Sequence, residues 1–578
     1  MNSKPPDSPA SPTIVRRLKG FFRITEWQQL LLWAIFAGVL GALATEGFRL
    51  ALEALDIMVL GNGGDLVEIA RGLPYWARAA IPTGGGLIAG GLLVLARRTV
   101  RQKATSDYME AIVLGDGRIP VAQTLARSAS SLVSIASGGS IGREGSMVQL
   151  AALCASLLGR FFRFPVGRLR VLVACGAAAG LTAAYNAPIA GAFFVAEIVL
   201  GSIAMESVGP ILVAAVVSNI VMRELPGYRP PYEMPAFPAI SGVEVGLFVV
   251  LGVLLGGCAA LMLRGLAASR SAFSRLPIAL PLRLALGGLV VGCISIWFPE
   301  VWGNGYSVVN AVLHQPFAWT VLAGLLIAKA VATMATTGSG AVGGVFTPAL
   351  FFGCIVGALF GTAVHTLWPD STSEPYAYAI VGMGALLAGA AQAPLMAILM
   401  VFEMTLSYEV MLPLMAASVV AYFVARSARV GSMYEITVRR QEHQEEHLRL
   451  RALQVRDLLE PAQTVVLPQA GVEEMTRLFS NYPVKYLYVV DESNRYLGVV
   501  PLKSLNAVSG LIGGSTAMAL LAHEIEPVLA DRDLEQTLQQ LLQHRGERLP
   551  VIESRQNPVL LGAVTKTAVL ATYVRLSE

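Results

Sequence analysis

Apolar residues dominate from about residue 27 to residue 424, and polar residues return in ordinary proportion from residue 425 onward. A helix crossing the hydrocarbon core needs about 20 predominantly apolar residues. Residues 27–50, 79–96, 243–262, 282–298, 319–334 and 411–424 fit that length most plainly. Four further stretches, 172–184, 185–199, 351–367 and 377–391, are shorter and interrupted by Gly or Pro. Broken apolar helices survive at membrane depth only where protein or a polar cavity covers their freed backbone groups. The pattern predicts a many-helix transport domain rather than a simple anchor.

The apolar region repeats itself. Gly176, Asn186, Pro188 and Glu197 recur as Gly382, Gln392, Pro394 and Glu403 at the same spacing. Upstream of each lies a glycine-rich partner, Ser140 to Ser146 in the first copy and Ala341 to Thr347 in the second. Similar Ala/Gly composition alone would produce some likeness, but the polar and proline positions keep register too, which favours an inverted repeat with a site at its interface. The chain after residue 427 reads as a charged helical linker followed by two small units. Each alternates β-branched strands with amphipathic helices. The strands centre on residues 486–490 and 549–552. Each unit is too small for much of a core, so the two are expected to pair.

The expected organisation is a tail (1–25), a membrane domain (26–427), a tyrosine-bearing helix and linker (428–454), and two soluble units (455–513 and 517–574). Only 14% of the 578 residues are charged, against roughly a quarter in soluble domains. The net charge of +4 gives no reason to expect nucleic acid. Arg16, Arg17, Lys19 and Arg23 precede the first span, and Arg426, Arg429, Arg439 and Arg440 follow the last. By the positive-inside rule both termini are expected in the cytoplasm, with the protein multi-pass in the cell (inner) membrane. The five cysteines lie in apolar segments without metal-like spacing, so they read as small hydrophobes.

An anion crossing lipid needs its hydration replaced without a full opposing charge that would trap it. Backbone N–H groups at a helix start do this. Gly343, Gly344 and Pro348 open such a start, with the amides of Val345 and Phe346 available to an ion; taken alone, the stretch also reads as a glycine-kinked packing segment. Glu144 stands between Gly142-Arg143 and Gly145 ahead of an apolar run. A carboxylate there is costly and a functional candidate. It suits a gate that fills the ion's position when charged and leaves when protonated. The other reading is a pair with Arg143, although adjacent helical residues do not face each other. Ser106 and Tyr434 offer hydroxyl donors; Asp107 and Glu110 near Ser106 also fit a capping box, and Tyr434 also fits an interfacial tyrosine.

These motifs together resemble the CLC family of chloride channels and chloride/proton exchangers. Gly142 to Gly145 is similar to its GREGP motif, Gly344 to Pro348 to its GxFxP motif, and Ala184 to Gly191 to the segment before its proton-handling glutamates. The likeness covers nearly the whole chain after the tail and is finest with the bacterial voltage-gated ClC-type branch. It implies an all-α membrane domain of roughly 18 helices, built as an inverted repeat, plus a C-terminal α/β tandem CBS pair. It also implies a homodimer in the bilayer with one chloride pathway per subunit. The anion would be held by the Val345 and Phe346 amides with the hydroxyls of Ser106 and Tyr434, and Glu144 would be the external gate.

Three departures stand out. The family's GSGIP motif survives only as Thr105-Ser106-Asp107-Tyr108-Met109, aligned with one gap; Ser146 replaces a proline; and Ile198, after Glu197, stands where well-known exchangers carry a proton-transfer acid. Isoleucine relays no proton, which favours a passive channel; exchange through a substitute path is the alternative, and a fluoride exporter a remote one. The CBS pair lacks the ribose-binding Asp after both Gly498 and Gly562, so a structural role is expected rather than an adenine-nucleotide cofactor. No nucleophile–base pair, metal cluster or Walker-type loop points to an enzyme, and no cofactor beyond bound chloride is expected.

Overall fold

The computed structural model describes residues 26–61, 64–99, 107–201, 205–225, 232–242, 244–434, 453–508, 515–523, 525–544 and 546–577. The N-terminal tail, Ser106 and the charged linker helix expected at 438–451 lie outside these. The chain divides into two compact units, Met1–Val438 and Arg439–Glu578.

Seventeen α-helices form among the described residues of the first unit. They are α1 (Glu26–Leu60), α2 (Leu66–Gly72), α3 (Tyr75–Thr99), α4 (Tyr108–Val113), α5 (Val121–Ala136), α6 (Glu144–Phe161), α7 (Val166–Tyr185), α8 (Pro188–Phe193), α9 (Met205–Glu224), α10 (Glu244–Ser274), α11 (Leu280–Ser295), α12 (Tyr306–His314), α13 (Trp319–Gly338), α14 (Phe346–Leu367), α15 (Pro375–Ala391), α16 (Pro394–Thr405) and α17 (Met411–Ser427). Seven of the described helices are long and apolar enough to cross a membrane. Two of them, α7 and α14, are longer than the broken stretches read from the sequence, because their first turns contain Gly, Arg, Thr or Pro that hydropathy discounts. Helix α9 is absent from the expected spans; Pro210 and a polar start disguise it.

Helix α7 is buried at every residue from Leu172 to its end and α15 at every residue from Ala377 to its end, as expected of helices surrounded by protein. Small residues permit this. A Cβ placed on Gly353 of α14 would lie 2.2 Å from the Gly382 carbonyl of α15, so the two backbones touch at a distance only glycine allows.

The repeat is visible in the backbone itself. Helix α7 ends with Asn186 in the left-handed region (φ 58, ψ 34) and α15 ends with Gln392 likewise (φ 56, ψ 37). Next come Ala187 and Ala393, with φ −127 and −136, and then Pro188 and Pro394 open α8 and α16. A left-handed non-glycine residue is uncommon. Its recurrence at the matching place in both halves shows that one backbone path is used twice.

The second unit holds two three-stranded sheets of identical topology. In the first, β1 (Val465–Val466) runs parallel to β2 (Tyr486–Val490), which pairs antiparallel with β3 (Tyr496–Pro501). In the second, β4 (Val528–Leu529), β5 (Arg548–Ile552) and β6 (Leu560–Thr565) repeat the arrangement. Helices α18 (Val472–Asn481) and α19 (Leu502–Val508) accompany the first sheet, and α20 (Leu534–Gln543) and α21 (Lys566–Ser577) the second. The two halves of this second unit exchange their leading segments. Val455, with Leu458 and Leu459, packs among Val528, Leu549 and Val551, whereas Ala517, with Leu520 and Leu521, packs among Val466, Met475 and Leu487. Tyr488, Val490, Val499, Leu560 and Ala563 form a third cluster between the sheets.

Candidate anion site at the repeat interface

The two glycine-rich stretches meet as an antiparallel pair. Gly142 N–H donates to the Gly344 carbonyl at 2.8 Å, and Gly344 N–H donates back to Gly142 at 2.9 Å. Two residues after each glycine a helix begins, α6 at Glu144 and α14 at Phe346. The cap residues Arg143 (φ −90, ψ −15) and Val345 (φ −106, ψ 7) adopt similar backbone angles. Two helix N-termini, one from each repeat, therefore lie side by side, and both present first-turn amides that lack an intrahelical acceptor, together with positive dipole ends.

Glu144 occupies this place. Its side chain crosses to the other repeat, where Oε1 accepts from the Thr347 amide at 3.1 Å and Oε2 accepts from the Thr347 hydroxyl at 3.0 Å. The Phe346 amide adds a backbone contact. The glycines make room for the carboxylate. A Cβ on Gly142 would fall 2.2 Å from Oε2 and one on Gly344 would fall 2.5 Å from Oε1. Gly343 meets Ile141 at 2.7 Å and Gly145 faces Gly344 at 3.5 Å by the same measure, so the whole motif is close-packed. Pro348 lies in the first turn of α14, buried, where its missing N–H costs nothing.

Arg143 does not turn toward Glu144. Its guanidinium lies over the Tyr306 ring, 5.2 Å from the centroid. Tyr306 in turn reaches Thr347 Oγ1 at 3.5 Å, and Tyr185 reaches the same oxygen at 2.8 Å. The Tyr185 ring stacks obliquely on Phe346, with centroids 5.0 Å apart. Tyr232 meets Tyr306 edge-on. Thr347 is the hub of this cluster.

Tyr434 is half-buried, edge-on to Phe194 at 5.5 Å, and within electrostatic reach of Glu144. Its strand of chain is fastened to the end of α15 by Met433 N–H to the Ala390 carbonyl (2.9 Å) and the Ser432 hydroxyl to Ala391 (2.8 Å). Asp107, next to Ser106, caps α4 through the Met109 amide at 3.0 Å.

Glu197 and Glu403 serve each other's repeat. Glu197 accepts from the Leu395 and Met396 amides of α16 at 3.3 and 2.8 Å. Glu403 accepts from the Ile189 and Ala190 amides of α8 at 2.8 and 2.7 Å. Each carboxylate satisfies first-turn donors that would be expensive to leave bare in lipid. Ile198 is buried on the π-helical turn that carries Glu197.

Sequence reasoning passed over Thr347, Tyr185 and Tyr306. A hydroxyl directly after Phe346, in a glycine-opened turn, was the available signal for the first. It also passed over Lys329, fully buried on α13, whose ammonium donates to the Val301 and Gly303 carbonyls at 3.0 and 2.8 Å ahead of Tyr306.

Comparison with known proteins agrees with this arrangement. Residues 85–426 match the family described as voltage gated chloride channel, and residues 455–508 match the CBS domain. A putative chloride channel protein of Ralstonia nicotianae, described as ClcB-like, is 54% identical over 401 residues, covering 69% of this chain and 94% of its own. The voltage-gated ClC-type chloride channel ClcB of Escherichia coli (strain HS) is 40% identical over 408 residues, covering 70% and 97%. Among solved structures, a slow cyanobacterial Cl−/H+ antiporter superposes with a TM-score of 0.62 at 27% identity, covering 71% of this chain and 97% of its own. With a paired-glycine repeat interface, a buried glutamate upon it and these matches, the chain belongs to the voltage-gated chloride channel (CLC) family, in the ClcB-like group, and carries a C-terminal CBS domain.

Proposed function

We propose that the protein conducts chloride across the cell membrane as a passive channel gated by Glu144. The observation that carries this is the placement of the Glu144 carboxylate on the Thr347 amide at the start of α14. A carboxylate held by helix-start donors marks a place where a chloride ion would be stabilised by the same donors. Protonation removes the charge, weakens those bonds, and frees the position for the ion. The Val345 and Phe346 amides, with the hydroxyls of Ser106 and Tyr434, form the next binding position inward. Buried Ile198 supports the channel over the exchanger, because no acid stands there to pass a proton.

Proton-coupled exchange is the second reading, favoured by the structural likeness to the Cl−/H+ antiporter. Purified protein in chloride-loaded liposomes separates the two. The channel passes chloride without moving protons against their gradient; uphill proton uptake driven by chloride efflux would establish exchange. The protein functions as a homodimer with both termini in the cytoplasm, testable by single-molecule subunit counting and by labelling of terminal cysteines. The CBS pair acts as a structural element. The missing ribose-binding Asp supports this, as does the filling of the space between the sheets by Tyr488, Val499 and Leu560.

A further inference from the structure

The Glu144 position is lined on one side by a chain of hydroxyls whose hydrogens have a forced direction. An ionised carboxylate only accepts, so the Thr347 hydroxyl must donate its single hydrogen to Oε2 across 3.0 Å. Thr347 Oγ1 then has lone pairs alone to offer Tyr185, so the Tyr185 hydroxyl donates into it across 2.8 Å. Tyr306 approaches the same oxygen at 3.5 Å. Thr347 and Tyr185 are almost wholly buried, at 0% and 1% exposure, so neither hydroxyl is open to bulk solvent.

When the carboxylate leaves, the Thr347 amide and the Thr347 hydroxyl both lose their acceptor. The Tyr185 hydrogen still fills the threonine's acceptor side, which keeps the threonine hydrogen pointed at the vacated place. Buried donors without partners are costly, and an anion is the species that relieves both at once. We propose that Thr347 is a specificity-determining anion ligand of this protein and that Tyr185 is the positioning residue that aims its hydroxyl. This rests on the transport reading above and adds to it the basis for choosing one anion over another. A single aimed O–H rewards charge concentrated on one small sphere. Chloride meets that demand, whereas nitrate spreads its charge over three oxygens and thiocyanate along a rod. The tight floor of Gly142 and Gly344 and the Phe346 ring limit how far a larger anion could shift to compensate.

The test uses the full-length protein in liposomes, with chloride, nitrate and thiocyanate as probe anions, in a Glu144→Ala background so that gating does not vary. Thr347→Val, which keeps the shape and removes the hydroxyl, should lower the chloride-to-nitrate flux ratio roughly tenfold, the worth of one hydrogen bond to an ion. Thr347→Ser should restore the ratio. Tyr185→Phe should lower it by a smaller factor, a change in preference between anions that mere loss of packing would not produce. An unchanged ratio in Thr347→Val together with Tyr185→Phe overturns the assignment. Should Thr347→Val not fold, an unchanged ratio in Tyr185→Phe overturns it alone. Absence of any chloride flux in the wild-type vesicles overturns the transport reading itself, and this inference with it.

Discussion

Gly142 and Gly344, 202 positions apart, exchange both of their backbone hydrogen bonds, at 2.8 and 2.9 Å, and so fasten the first repeat to the second directly beneath the Glu144 carboxylate. A methyl group on Gly344 would lie 2.5 Å from Oε1. Gly344→Ala is therefore expected to push the carboxylate out of its seat, at an overpacking cost of about 1–3 kcal/mol. Chloride flux at neutral pH should rise several-fold, and its dependence on pH should weaken. Unaltered flux in correctly folded protein would count against the carboxylate as the obstruction.

Glu144→Gln removes the charge while keeping nearly the same volume. Flux should match or exceed the wild-type value measured in acid, and acidification should no longer increase it. The measurement is chloride efflux from liposomes across a pH series. Retention of the wild-type pH profile would place the gate elsewhere.

Selectivity at the inner position should respond to hydroxyl removal. Ser106→Ala and Tyr434→Phe are each expected to change the chloride-to-nitrate ratio by a few-fold with little effect on thermal stability, since one hydroxyl contact is worth about 1 kcal/mol. Ratios unchanged in both variants would remove these two side chains from the pathway.

Glu197 and Glu403 should behave as stability residues. Glu403→Gln weakens two charge-assisted caps on α8, and Glu197→Gln does the same on α16. A loss of about 1–2 kcal/mol is expected for each, read as a lower melting temperature in detergent with anion selectivity intact. A selectivity change without destabilisation would mean that these acids face the ion instead.

The soluble pair carries a histidine with a directional pH response. Burial, with Lys566 nearby, holds His544 below the ordinary histidine value, and Tyr486 lies 2.5 Å from its Nε2. The unfolded chain binds this proton near pH 6.5, whereas the folded chain binds it only at lower pH. Between those values the unfolded state holds more protons, so stability rises with pH there and is lost on acidification. The melting temperature of the CBS transition in the full-length protein should fall from about pH 7 to about pH 5.5. His544→Gln should reduce that fall; an identical fall would assign the acid sensitivity to other groups.

Much of this arrangement is legible in the sequence. The repeat could be read because Asn186, Gln392, Pro188 and Pro394 are polar or rigid residues in apolar surroundings, and their backbone angles explain why the spacing is kept. Glu144 could be singled out because a carboxylate amid glycines has few structural uses. Thr347 could not, since a threonine in a first turn is an ordinary helix residue until a partner 203 positions away is brought to it. Nor could the destinations of Glu197 and Glu403, each capping a helix about 200 positions distant. The exchange of leading segments in the CBS pair was hidden for a different reason. Val455 and Ala517 satisfy the same hydrophobic pattern whichever sheet they pack on, so periodicity is blind to the choice.

The reciprocal service of Glu197 and Glu403 reaches beyond the energetics of two caps. A protein made of one repeat alone would own a carboxylate with no helix start to hold and a helix start with no carboxylate. It could complete itself only against a second copy inserted upside down. Fusing two such halves into one chain fixes their stoichiometry at one to one and removes the encounter that separate halves would need in the bilayer.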